Sequence, residues 1–555
     1  MHVELTLLIL SLLFFASIFT DKIGYRFGIP ALLLFLAVGM IFGPEGLGML
    51  LGSDANALPA AVNIDTAQAI GTIALCIILF SGGLDTKISD IQPVLGPGIT
   101  LATLGVLLTA VITGVVTYFI FDHMYAKSDV GIWAALLIAS TMSSTDSASV
   151  FSMLRTNGLR LKHNLRPLLE LESGANDPMA YILTITLIGV LVGTGEMSAA
   201  GIIRSVVIQL VMGCVIGFGF GKGIVELMKR VRFNNESLYP IMVLTACIFI
   251  FAVTYFLAGN PYLAVYIGGL IIGNNKFTKK RHTKNFFEGL TWLSQLVMFL
   301  VLGLLVKPHE LMSLEVWLPC LIISIVMILF SRPLSVLLCM LPFKKTFHQR
   351  DRLLLSWVGL KGAVPIIFAI MCVANEVPNA NLLFNVVFLC TIVSLLIQGT
   401  TLGAVAKKLN LALPVDEDEK LQYFDIDLPE DIESSAFERV VTEEVLEKGK
   451  RLMDQDIPKH TLVIMVRRGE NFFVPRGDTE LQPGDKLLII SDTNAEKVVQ
   501  EIEDEEEHIL AHWGVQMLHH TSEFARAKVR KLIEKQRARR KKRSSTPDGG
   551  AEERM

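Results

Sequence analysis

The chain has 555 residues, 52% of them hydrophobic, and a mean hydropathy of +0.52, a balance that excludes an ordinary soluble globular protein. Its net charge of −3 sums an apolar body, an acidic stretch and a basic tail, so it excludes no class of partner. Seven cysteines (Cys76, Cys214, Cys247, Cys320, Cys339, Cys372 and Cys390) lie in or beside apolar runs with no paired spacing, which excludes a disulfide framework or thiolate metal site and leaves small buried hydrophobes.

A helix needs roughly 20 residues to cross the hydrocarbon core of a bilayer. Apolar runs of that kind predict thirteen spans, at 3–20, 28–48, 66–84, 95–121, 131–153, 167–193, 201–226, 239–258, 261–274, 287–306, 312–331, 353–373 and 382–405. The first run has no basic residues before it and ends at Asp21-Lys22, so it reads as a transmembrane helix and not a cleaved signal. Positive charge alternates between loops. One set holds Lys22 and Arg26, Lys87, the group from Arg155 to Arg166, Lys229 to Arg232, Lys276 to Lys284, and Arg332 to Arg352. The other holds little beyond Lys127 and Lys307. Positive-inside bias puts the first set in the cytoplasm, the N-terminus outside and, with an odd number of spans, the C-terminal region inside.

The two halves echo each other. Gly28-Ile29-Pro30 opens a short span with Gly39 and Gly43, and Gly259-Asn260-Pro261 opens another with Gly268, Gly269 and Gly273. Seven spans apart, these segments insert in opposite directions, as an inverted repeat requires. An interrupted helix follows each. The first interruption is Ser140-Thr141-Met142-Ser143-Ser144-Thr145-Asp146-Ser147, and the second is Gly359-Leu360-Lys361-Gly362-Ala363-Val364-Pro365. Broken helices in corresponding positions point to a transporter's binding site, because unwound backbone offers free carbonyls at membrane depth. The hydroxyls of Ser140 to Ser144 are read as helix packing, Asp146 as functional, and Gly362 and Pro365 as hinges. Gly213, Gly217, Gly219, Gly221 and Gly223 read as small-residue helix packing and not as a nucleotide loop.

The sixth span carries Glu172-Ser173-Gly174-Ala175-Asn176-Asp177-Pro178. An ionised carboxylate at the bilayer centre costs roughly 2.5–3.5 kcal/mol on insertion scales, so it marks an ion or proton pathway unless it is paired. Asp177, beside backbone loosened by Pro178, is the choice for the group that holds a proton and a cation alternately. Glu172 is read as the structural partner of Lys361, the one lysine deep in an apolar span, and Glu170 as interfacial. There is no selectivity-filter run and no P-loop, which argues against a potassium channel and against ATP hydrolysis.

On these residues the chain, from about 1 to 405, resembles the bacterial monovalent cation:proton antiporters of the NhaP kind. Thr145-Asp146 matches the family's Thr-Asp in the first broken helix, and Glu172, Ser173, Asn176 and Asp177 match its Glu-Ser-x-x-Asn-Asp run. Lys361 stands where arginine is commoner, keeping the charge and losing the planar fork. The resemblance implies an all-α polytopic membrane protein of about thirteen helices in inverted repeats, with two crossed broken helices, a dimerisation domain and an elevator-like core. It also implies that Asp177 binds the cation or proton, that Thr145, Asp146, Asn176 and Ser173 ligate or shape the site, and that Glu172 pairs with Lys361. The Asn-Asp sequence is associated in this superfamily with electroneutral, one-for-one exchange.

The expected domain boundaries are a transmembrane antiporter domain at 1–408, a linker at 409–420, a cytoplasmic α/β domain at 421–503 and a charged tail at 504–555. In the third of these, Thr461 to Val466 and Lys486 to Ile490 read as strands, with turns at Arg468-Gly469 and Pro483-Gly484-Asp485. The run from Asp478 to Leu487 is similar to the TrkA-C (RCK-C) regulatory domain of potassium-transport proteins, and with the antiporter body this looks like the NhaP/CvrA-type potassium/proton antiporters. No Rossmann turn precedes it, so NAD is not expected. By resemblance a regulatory nucleotide, a cyclic dinucleotide among the candidates, is an open expectation, and no other cofactor is expected. The basic tail reads as a solvated helix or as a contact for anionic lipid, not for nucleic acid.

The leading function is therefore secondary exchange of K⁺ or Na⁺ for H⁺ by a homodimer in a bacterial cytoplasmic (inner) membrane, with no enzymatic activity. The alternatives are a regulated cation channel or sensor, and a sodium-coupled organic anion symporter of related fold. The symporter would need cationic groups beyond Lys361, and none is apparent.

Overall fold

Long apolar runs without interruption fold as single helices, and those broken by Gly, Pro or clustered hydroxyls fold as two short ones. A computed structural model describes residues 3–27, 30–43, 45–46, 63–124, 130–156, 158–193, 198–414, 436–441, 446, 449–455, 461–469 and 471–491. The chain divides into two units, Met1–Val415 and Asp416–Met555. The first contains α1 (Val3–Phe27), α2 (Ala31–Phe42), α3 (Ile64–Asp85), α4 (Ile88–His123), the broken pair α5a (Ile132–Thr141) and α5b (Ser147–Thr156), and α6 (Leu165–Val192). It continues with α7 (Ala199–Arg230), α8 (Leu238–Phe256), α9 (Pro261–Gly273), α10 (Lys280–Leu305), α11 (Val316–Cys339), a second broken pair α12a (Gln349–Trp357) and α12b (Val364–Ala374), and α13 (Ala380–Lys408). Among the described residues eight of these (α3, α4, α6, α7, α8, α10, α11 and α13) are long and apolar enough to cross a membrane. Shorter apolar helices occupy Leu10–Thr20, α2, α5a, α9 and α12b.

The inverted repeat is visible in who packs on whom. Short helix α2 lies against α10, and its counterpart α9 lies against α3, an exchange of partners between the halves. Both contacts close on glycine: a Cβ on Gly39 would stand 2.9 Å from the Gly303 Cα, and one on Gly273 would stand 2.8 Å from the Leu84 Cα. Gly28 and Ile29 of the first motif lie outside the described residues. The related helices α4 and α11 each carry a π-helical turn, at Leu101–Gly105 and Met327–Ser331, and meet through Thr109 and Ser335 at 3.0 Å. Ser335 also donates to the Gly105 carbonyl (2.9 Å), one of the groups such a turn frees. Gly213 and Gly217 of α7 bring that helix within backbone contact of α9, as the small-residue reading expected.

One helix is longer than expected. The eleventh span was placed at 312–331, with Arg332 in a cytoplasmic loop. Instead α11 runs on to Cys339, and Arg332 lies inside it, 3% exposed. Pro333 does not end the helix, because the π-helical turn before it already lacks the regular ladder that a proline would break.

Two short strands tie the bundle's last helix to the connection between α5b and α6. β1 (Leu159–Leu161) pairs antiparallel with β2 (Ala412–Pro414), and the Lys162 N–H donates to the Leu411 carbonyl at 3.1 Å.

In the second unit β3 (Ala436–Val440), β4 (Thr461–Arg468), β5 (Asn471–Phe473) and β6 (Lys486–Ser491) form an antiparallel sheet in the order β3-β6-β4-β5. Both expected strands are present. Their turns use left-handed glycines, Gly469 (φ 59°) and Gly484 (φ 89°). Val463, Val466, Leu487 and Ile489 fill the core beneath. Asp485 accepts a fork from Arg468, Nε to Oδ1 at 2.8 Å and Nη2 to Oδ2 at 2.7 Å, and this pairing pushes the guanidinium pKa up. The segments 415–435 and 492–503 and the tail 504–555 lie outside the described residues.

Candidate functional site

Helix α5a stops where hydroxyls take over its last carbonyls. Thr141 donates to the Ile138 carbonyl at 2.7 Å, and Ser143 to that of Ser140 at 2.6 Å. After the unwound residues 144–146, Asp146 opens α5b as its N-cap, taking the Ser149 N–H on Oδ1 at 3.0 Å and the Ser149 hydroxyl on Oδ2. The second break, residues 358–363, is held from α13. Ser394 accepts the Lys361 N–H (3.0 Å) and donates to Gln398 (2.6 Å), and Gln398 donates to the Trp357 carbonyl (2.8 Å). The two breaks touch backbone to backbone, the Asp146 N–H donating to the Leu360 carbonyl at 2.8 Å. Gly362 permits that approach, since a Cβ there would stand 2.9 Å from the Asp146 Cβ. Pro365 lies in the first turn of α12b, where its missing N–H costs no hydrogen bond.

Helix α6 grips the first break from the side. Ser173 donates to the Thr145 carbonyl (2.9 Å) and accepts the Ser147 N–H (3.1 Å), while Asn176 Nδ2 donates to the Thr145 hydroxyl (2.5 Å). Asn176 Oδ1 is buried with no hydrogen-bond partner among the described residues. Asp177 accepts a short hydrogen bond from the Ser144 hydroxyl, and Lys361 Nζ donates to the Ser144 carbonyl at 2.9 Å. One residue of the break therefore joins the buried acid to the buried base. Asp177 is 6% exposed and Lys361 2%. The 6% opens onto a cavity of about 720 Å³ between α5b, α6 and α12b on one side and α2, α3, α9 and α10 on the other. Its lining also includes Asp85, Lys87, Asp90, Glu170 and Glu288, and Arg166 holds Glu170 at 2.9 Å.

The expected pair of Glu172 with Lys361 is corrected. Glu172 faces Arg332, Oε1 to Nη2 at 2.5 Å, with both side chains nearly inaccessible to solvent. Neither Glu172 oxygen is in hydrogen-bond geometry, so the contact is a close Coulombic pair and not a fork. Lys361 feels the charges of Arg332, Glu172 and Asp177 but spends its hydrogen bond on Ser144. The sequence reading missed Arg332 and Ser144. The first has apolar sequence on both sides, a sign that it lies inside a span; the second was grouped with hydroxyls that serve only the helix end.

The donors at the crossing are a carboxylate, an amide oxygen, hydroxyls and freed carbonyls, the oxygen ligands that suit a hard monovalent cation. The comparisons agree with that chemistry. A family model for the sodium/hydrogen exchanger transmembrane region matches residues 9–408, and one for the TrkA-C domain matches residues 437–503. The K(+)/H(+) antiporter NhaP2 of Shewanella oneidensis is 39% identical over 485 residues, 87% of this chain and 80% of its own. The K(+)/H(+) antiporter NhaP of Alkalimonas amylolytica is 37% identical over 490 residues, 88% of this chain and 81% of its own. The fold is that of the solved sodium proton antiporter MjNhaP1 from Methanocaldococcus jannaschii, with a TM-score of 0.60 at 21% identity, covering 72% of this chain and all of that one. With a match across both broken helices and the acid they enclose, the chain is a multi-pass membrane protein that belongs to the sodium/hydrogen exchanger family and carries a TrkA-C domain.

Proposed function

We propose that this protein is a secondary antiporter that exchanges K⁺ for H⁺ one for one across a bacterial cytoplasmic membrane. The observation that carries the proposal is the place of Asp177, a nearly inaccessible carboxylate lining a cavity, beside two unwound backbones. A bare charge at that depth is costly, so the carboxylate is neutralised by a proton or by a cation, and each must leave before the other binds. Ser144 orients the acid, and Thr145 is positioned by Asn176 and Ser173. Asp146 caps α5b with both oxygens, which leaves Asp177 as the single carboxylate to cycle. No net charge then crosses the membrane.

K⁺ is preferred over Na⁺ on the names of the relatives and on the TrkA-C domain. The protein works as a homodimer with its N-terminus outside and the TrkA-C domain in the cytoplasm, where a nucleotide sets its activity. β2 is the last described element before that domain, so the β1–β2 pair is the route by which it acts on α5b and α6. In everted membrane vesicles with a preset proton gradient, K⁺, Rb⁺ and Na⁺ should each dissipate a fluorescence-reported gradient in wild type, with K⁺ effective at the lowest concentration. D177N should dissipate none, and cation-dependent dissipation by D177N would defeat the proposal.

A further inference from the structure

We infer that the hydroxyl of Tyr266 is a ligand for the cation on its way to Asp177, a way-point in the cavity that both residues line. Tyr266 belongs to α9, on the opposite side of the cavity from α6. Its ring lies on Gly174, where a Cβ would stand 2.8 Å from the hydroxyl oxygen. Gly174 is three residues before Asp177, so the two share a face of α6, and both line the cavity with Tyr266. The hydroxyl therefore lies beside α6 about one helical turn before the carboxylate, among residues that line the same cavity.

Tyr266 is 4% exposed, and its hydroxyl has no partner in hydrogen-bond geometry among the described residues. Such a group is expensive to bury unless something satisfies it in use. Its polar neighbour is Thr86, whose own proton goes to the Gly82 carbonyl at 2.7 Å. Thr86, its own proton committed, can at most receive the phenolic proton, so the phenolic lone pairs stay unengaged. A cation must shed water before it meets the nearly inaccessible Asp177. A neutral oxygen fixed at that point replaces one water without trapping the ion. The same position discriminates between monovalent ions, because a ligand held by a rigid ring cannot follow a smaller ion inward as water can.

The bland alternative is a gasket, in which the ring packs on Gly174 and the oxygen is idle. Y266F separates the two, since it keeps the ring and removes only the oxygen. In proteoliposomes the variant should raise KM for K⁺ and Rb⁺ about three- to tenfold at unchanged maximal rate, the loss expected for one polar contact of ordinary hydrogen-bond strength, and should narrow the difference between K⁺ and Na⁺. The rubidium-induced rise in melting temperature of the purified protein should shrink in parallel. A wild-type KM for every cation, or a fall in maximal rate alone, would overturn the role of the hydroxyl. So would a Y266F protein that no longer folds, because the oxygen would then be structural. The inference rests on Asp177 as the exchange site, and D177N assayed alongside keeps the two apart. Exchange surviving in D177N overturns that reading, whereas an unaltered KM in Y266F with D177N inactive overturns only the way-point.

Discussion

Replacing Arg332 with methionine should be among the most damaging conservative changes in the membrane unit. The guanidinium is 2.5 Å from Glu172, and the two side chains are 4% and 1% exposed. At an effective dielectric of ~20 their attraction is about 6–7 kcal/mol, much of it offset by the desolvation of both ions. Methionine keeps most of the volume, so little of the effect is a cavity. What remains is a stranded Glu172 carboxylate with no hydrogen bond to fall back on. Breaking one side of such a pair costs roughly 3–5 kcal/mol. Lys361, whose positive charge also acts near Glu172, should keep the loss toward the lower end. E172Q should cost a similar amount, and E172Q/R332M should recover most of it, a coupling of at least ~2 kcal/mol. Unfolding of the purified protein in SDS titrations, followed by tryptophan fluorescence, reads all four corners of the cycle. A second cycle with E172Q and K361M should show smaller coupling, since Lys361 bonds the Ser144 carbonyl instead. Additive losses for Glu172 and Arg332, or stronger coupling of Glu172 to Lys361, would refute the pairing.

Two further outcomes follow from the site and its connections. D146A should lose about 1–2 kcal/mol of stability through the lost cap, whereas D146N should be nearly neutral and retain exchange, because asparagine caps as well as aspartate; an inactive, folded D146N would make Asp146 a carrier. Truncation after Val415 should leave the rate of exchange intact, while truncation after Lys408 removes β2 and its pairing with Leu159–Leu161 and should cost about 2–3 kcal/mol in SDS unfolding, with slower exchange; equal behaviour of the two truncations would show that the strand pair carries nothing.

Much of this architecture is legible in the sequence because a membrane makes composition decisive. Polar runs in the middle of apolar spans, at Ser140–Ser147 and Gly359–Pro365, have few physical explanations, and both proved to be unwound crossings. The family resemblance implies that Thr145, Ser173, Asn176 and Asp177 share one site, and the structure brings Ser173 and Asn176 onto Thr145, with Asp177 on the neighbouring Ser144. What failed was partner choice. Glu172 has two basic residues near it, and the sequence favours Lys361, the one lysine deep in an apolar span, because Arg332 reads as a cytoplasmic loop charge. The π-helical turn at Met327–Ser331 that carries the helix through is a backbone feature without a residue signature. The link from β2 to β1 was also invisible, because three-residue strands 250 positions apart leave no periodicity to detect.

The central claim is that one carboxylate, Asp177, exchanges its proton for a cation. Calorimetric titration of the purified protein with rubidium, in buffers of different ionisation enthalpy, counts the protons released on binding. The account predicts about one proton per cation in wild type, the same ratio in D146N, and neither binding heat nor proton release in D177N. Proton release that persists in D177N, or close to two protons per cation in wild type, would contradict it.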